Sequence, residues 1–182
     1  MEHPLLNLLM VVTLLVAALT DLRSCRIPNW LTISAMAGGL FSHSLLNGLS
    51  GLLFSAKGLG LGFALFILLY VMGGMGAGDV KLLAAVGSFI GAEAVLSAGI
   101  MAMLLGGLYA IAMMVNLYGL RAGMKQIGTL LTYCMLVPGS TRTLTPAKAQ
   151  PRLRYALVIG LGTLMSQWME APVFHLLSSM AH

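Results

Sequence analysis

Charge is the scarcest property of this chain. Of 182 residues, 10 are Lys or Arg and 5 are Asp or Glu, so charged residues make up 8% against 59% hydrophobic. A soluble domain carries about a quarter charged residues, and a polar surface cannot be covered from so few. A free cytosolic enzyme, a disordered protein and a secreted disulfide scaffold are therefore excluded. Cysteine is nearly absent: Cys25 and Cys134 share no CxxC spacing, build no framework of bridges and hold no zinc, and both are expected as free thiols. The net charge of +5 could suggest nucleic acid. A nucleic-acid reader needs clustered basic surface with aromatic or groove-reading elements, whereas these basic residues are spread through connecting segments, so no nucleic-acid partner is expected. His3, His43, His175 and His182 are scattered on what reads as the outer side, nothing resembles a nucleotide loop or a Ser/His/Asp set, and neither metal nor cofactor is expected.

What the chain has is apolar length, with a mean hydropathy of +0.95. A membrane helix needs about 20 mostly apolar residues, and the runs divide into about six spans at residues 5–20, 30–46, 59–74, 80–92, 94–117 and 155–169. The expected fold is an all-α polytopic membrane bundle, a single domain over 1–182 with a loop at about 118–154. The fourth span is short and leaves a shallow or re-entrant segment open. Charge orients the bundle. All basic residues except Lys57 fall on one face in this arrangement, which assigns that face to the cytoplasm and both termini to the outside. The first span lacks the basic flank of a signal peptide and is read as a retained helix. The loop reads as an interfacial connector in contact with anionic lipid, with a short amphipathic helix near 121–133, and the 14 methionines as flexible apolar packing.

Asp21 and Asp79 are the only aspartates, and both fall at the cytoplasmic face, whereas Glu2, Glu93 and Glu170 fall outside. Asp21 closes the first span and Asp79 opens the fourth, within GGMGAGDVKLLAAVG. An ionisable residue near apolar spans marks a functional site by default. Structural roles compete: Asp79 as the cap of its helix, Asp21 as a solvated end residue beside Arg23 or Arg26. The glycines at 73, 74, 76 and 78 remove side-chain bulk ahead of Asp79 and let a peptide backbone approach it. Gly74 with Gly78, Gly58 with Gly62 and Gly87 with Gly91 also have the spacing of helix-packing faces.

Gly76-Ala77-Gly78-Asp79 resembles the GxGD signature of the bacterial type IV prepilin peptidases, aspartic membrane proteases, and the likeness continues through Val80-Lys81-Leu82-Leu83-Ala84-Ala85-Val86-Gly87. The run from Asp21 to Thr32 resembles the segment that carries the family's first aspartate, and Tyr155 to Gly162 is a weaker third match. Arg154 stands where the family often has Pro. The resemblance implies a catalytic pair, Asp21 and Asp79, in the bacterial inner membrane, cutting a short basic leader from a prepilin or pseudopilin whose apolar helix stays in the bilayer. Longer members add a cytoplasmic region with two CxxC pairs and methylate the new terminus. Here the chain begins in its first span, so methyltransferase activity is not expected, and the short form resembles the peptidases of tight-adherence (Flp) pili.

Hydrolysis needs a base for water and an acid for the carbonyl and leaving amine, and two carboxylates sharing one proton supply both. Helix position nominates Asp21, at a C-terminus, as the acid. Pro28 and Asn29 are expected to shape the site, with Asn29 capping the second span. Gly76 and Gly78 would admit substrate, and Lys81 reads as an interfacial lysine with a possible substrate contact. The main rival is a small transporter or channel subunit with Asp79 as an ion or proton site. A third reading is a scaffold in which both aspartates are caps, and a further enzyme reading is an archaeal-type preflagellin peptidase. Oligomeric state is not legible.

Overall fold

The computed structural model describes residues 4–71, 75–118 and 155–180. Among them there are four helices and no strand: α1 (Pro4–Ser24), α2 (Asn29–Val71), α3 (Ala77–Tyr118) and α4 (Tyr155–Met180). Of the connector expected at about 118–154, Tyr118 ends α3 and the rest, with its amphipathic helix, lies outside the described residues, as do Gly73, Gly74 and both chain ends. Among the described residues, three helices are long and apolar enough to cross a membrane: Pro4–Ser24, Asn29–Val71 and Ala77–Met113.

The two long helices are not straight. At about 1.5 Å per residue, 43 residues of helix would run far beyond the hydrocarbon thickness of a bilayer. Each breaks at a glycine with positive φ, Gly48 (φ 59°) in α2 and Gly91 (φ 82°) in α3, a conformation open to glycine at little cost. The arms fold back. A side chain added at Gly51 would strike the carbonyl of His43, and one at Gly99 would meet Leu83 and Leu65, which straight helices would hold far apart. The segment 47–58, read from sequence as a connector between spans, is therefore helical on both sides of a sharp break, and the division between the fourth and fifth expected spans falls at Gly91 rather than at Glu93.

The first arm of α3 is the centre of the bundle. Val80, Leu82, Leu83, Ala84, Ala85 and Val86 are all buried, as expected for a helix enclosed on every side. It can be enclosed because its neighbours approach through small residues. A Cβ on Gly58 would strike the Gly87 carbonyl and one on Gly87 the Gly58 carbonyl, while Gly62 lies against Leu83. The packing role expected for these glycines is thus observed.

Breaking α3 at Gly91 frees carbonyls that the following turn would have bonded, a cost of several kcal/mol each in a dry interior, on the order given for unsatisfied groups in lipid. Side chains of α2 take them up. His43 Nε2 donates to the Phe89 carbonyl at 2.9 Å, and Ser55 Oγ donates to the Ser88 carbonyl at 2.6 Å. His43 is buried, its ring tilted against Phe54. It serves as an internal cap, a role its place in the sequence did not reveal.

Candidate active site

In α1 the buried residues are Leu6, Met10, Leu14, Ala17 and Asp21. The steps of three and four draw one stripe down the helix, so Asp21 is the inward continuation of an apolar face and not a solvated end residue. Four residues later the helix stops at Cys25, which adopts φ 49° and donates its amide to the Asp21 carbonyl at 2.9 Å. This is a left-handed helix ending, made here by a cysteine rather than by glycine. Pro28 follows, and its carbonyl accepts the first amides of α2, from Leu31 and Thr32.

Asp79 is the third residue of α3. Gly76 precedes the helix and its carbonyl accepts the Asp79 amide at 3.1 Å, while Asp79 Oδ2 reaches back to accept the Gly76 amide at 3.1 Å. An acid at the third position returning to the capping residue is half of a capping box. The structural role weighed for Asp79 is therefore met in part, at one oxygen, with Gly76 as the bonding partner. Asp79 is nonetheless buried, at 8% exposure, as is Asp21, at 5%.

The two carboxylates lie within electrostatic reach of each other. Three features hold their segments in register. The 25–28 turn packs on Gly78, where an added Cβ would sit 3.2 Å from the Ile27 Cβ. Lys81 Nζ donates to Asn29 Oδ1 at 2.9 Å, joining the starts of α2 and α3. Asn29 thus serves Lys81 instead of capping its own helix, and Lys81 is tied to a neighbouring helix. Gly76 leaves space beside the acid, since a Cβ there would lie 3.2 Å from Asp79 Oδ2.

The third feature comes from the far end of the chain. The Ala156 amide, in the first turn of α4, donates to Asp21 Oδ2 at 3.2 Å. First-turn amides have no partner within their own helix and favour negative charge. Each aspartate therefore meets a helix N-terminus, Asp79 that of α3 and Asp21 that of α4, and for Asp21 the α4 amide offsets the C-terminal end of α1 on which its nomination as the acid rested. Side-chain chemistry in the sequence could not reveal this contact, because alanine contributes only a backbone N–H; the sole signal was the third matching segment, 155–162.

Among the described residues no three His, Cys, Asp or Glu side chains gather as a metal site. The arrangement offers two buried carboxylates, each oriented by a main-chain donor, beside a glycine-lined turn. Residues 8–111 match the sequence model of the type IV leader peptidase family. No curated protein matches the chain, and neither does any solved structure.

Proposed function

The chain belongs to the type IV leader peptidase family, and from that premise we propose that it is a membrane-embedded aspartic endopeptidase that removes the leader of Flp-type prepilins or pseudopilins at the cytoplasmic face of the bacterial inner membrane. The observation that carries this reading is the pairing of the chain's two aspartates, both buried and each within the other's field. A transporter reading needs Asp79 alone and a scaffold reading needs neither, so burial of the pair in one place favours hydrolysis.

Asp21 and Asp79 share one proton. The ionised carboxylate takes a proton from water, which attacks the scissile carbonyl. The protonated one hydrogen-bonds the carbonyl oxygen and then delivers its proton to the leaving amine. The Ala156 and Gly76 amides fix the two carboxyl planes, so little reorganisation remains for the transition state. The glycine-lined turn lets the extended leader lie against Asp79, and the substrate's apolar helix stays among the lipid-facing surfaces. Six crossings, with both termini outside, place the pair where the basic leader is found. Cleavage alone, without methylation of the product, is the proposed activity.

The test is co-expression of a Flp-type prepilin with the native chain, Asp21→Ala or Asp79→Ala at matched abundance in membranes, read as the mass shift of leader loss. Cleavage that requires both aspartates supports the proposal. Cleavage surviving either substitution, or none by the native chain across several prepilins, overturns it.

A further inference from the structure

The amide that meets Asp21 is only as well placed as the helix that carries it, and α4 rests on the second arm of α3 at two points. Near its start, a Cβ added at Gly106 would fall 2.8 Å from Tyr155 Cε1 and 3.6 Å from Val158 Cγ1. Further along, a Cβ added at Gly162 would fall 2.8 Å from the Ala102 amide nitrogen and 3.0 Å from its Cα. Ala102 and Gly106 stand one turn apart on one face of α3, so the two helices run antiparallel with small residues between them. The two points differ in stiffness. At Gly106 a ring and a methyl group can swing aside, whereas at Gly162 the opposing atoms are main chain and only the helix as a whole can yield. Non-bonded atoms settle at about 3.5 Å or more, so a methyl group at 162 displaces α4 by about half an ångström or more. The bond from Ala156 to Asp21 is 3.2 Å long, the upper end of the range for an N–H···O bond, and a shift of that size at Ala156 takes it out of range.

Building on the peptidase reading, we propose that Gly162 is a positioning residue of the aspartate pair: its missing side chain sets the distance between α4 and α3, and through that distance the hold of the Ala156 amide on Asp21. The two residues are six apart on one helix, about 9 Å along its axis, and a hydrogen-bonded helix carries a displacement over that length as a rigid element. The amide orients the Asp21 carboxyl plane and bears on how the pair divides its proton, while Gly162 itself faces α3. Its effect therefore belongs in turnover more than in binding of the leader.

The experiment compares the full-length native chain, Gly162→Ala and Gly160→Ala, purified in detergent, in cleavage of a Flp-type prepilin below the onset of unfolding. A Cβ at Gly160 meets nothing, so that variant gains the same helix propensity without moving α4 and should match native. Expected in Gly162→Ala are a fall in kcat of about tenfold or more, the scale of one hydrogen bond to a charged group, with KM within about twofold, and a displaced limb of the pH profile, which a packing role leaves in place. Should Gly162→Ala not yield folded protein, Gly106→Ala against Gly107→Ala makes the same comparison, since the first meets the Tyr155 ring and the second meets nothing; a lower kcat in the first alone is expected. Thermal unfolding gives a readout that needs no cleavage: in combination with Asp21→Ala, which already breaks the bond, Gly162→Ala should lower the melting temperature by less than it does alone, whereas distant sites with no shared interaction add. Turnover by Gly162→Ala within about twofold of native, an equal loss in Gly160→Ala, or fully additive melting overturns the inference and leaves the peptidase reading intact. A native chain that cleaves no prepilin overturns the peptidase reading, and the melting comparison then decides the link between Gly162 and Asp21 by itself.

Discussion

Replacing Asp21 in two ways separates its chemistry from its part in the fold. Its Oδ2 accepts the Ala156 amide at 3.2 Å in a buried setting. Asparagine retains an oxygen in that place; alanine retains nothing and strands the amide of a helix start. Leaving a buried donor unsatisfied costs about 1–3 kcal/mol, while exchange of a charge-assisted acceptor for a neutral one, offset by the lower cost of burying an amide, should change stability by less than about 1 kcal/mol. Neither variant can move a proton. Loss of an acid–base group of this kind lowers turnover by about 10³-fold, equivalent to about 4 kcal/mol of barrier. Leader cleavage timed by mass shift, with thermal unfolding of the purified chain, reads both effects. Both variants should be inactive and only Asp21→Ala should melt early. Cleavage by Asp21→Asn within tenfold of native would refute the catalytic assignment, and identical melting of Asn and Ala variants would refute the structural one.

The remaining predictions concern how the site is held. Gly58→Ala and Gly87→Ala each drive a methyl into an opposing backbone carbonyl, so each should destabilise by about 1–3 kcal/mol, whereas Gly60→Ala, with nothing nearby, should be neutral or gain up to about 1 kcal/mol of helix propensity; unfolding in detergent distinguishes them. His43→Leu strands the Phe89 carbonyl at the α3 break and should cost about 1–3 kcal/mol, with His43→Gln recovering part of it, and equal melting of the two would remove the capping role. Cys25→Gly relieves a left-handed backbone that costs an ordinary residue roughly 1–2 kcal/mol, so the melting temperature should rise with cleavage unchanged; a fall would show that the thiol contributes contacts that outweigh the strain.

Much of the site was legible because its signals are side chains that stand out from a bilayer-compatible background. With two aspartates in the chain, a glycine turn before one and a proline turn after the other, position drew attention to Asp21, Asp79, Gly76 and Gly78, and the likeness of both segments to the prepilin peptidases supplied the expected roles. The partners of Lys81 and Asn29 were not legible, since which of two polar groups on different helices will meet depends on rotation about each axis. The Ala156 contact was hidden more deeply, because a main-chain amide is present at every non-proline residue and becomes a donor of note only where a helix begins. Hydropathy found the apolar runs and misplaced their joints. It read 47–58 as a connector because the residues there are smaller and more polar, whereas the backbone stays helical up to a single glycine and resumes at once. The inward turn of His43 was likewise invisible until the α3 break supplied a carbonyl for it.

The bond between Ala156 and Asp21 joins positions 135 residues apart. Polypeptides are made from the N-terminus onward at some 5–20 residues per second, so both acids are already in the bilayer for several seconds before α4 leaves the ribosome. Throughout that interval Asp21 lacks the amide that α4 brings to it. The surroundings of the two aspartates are thus completed only when α4 docks, by a contact from a segment made long after both of them.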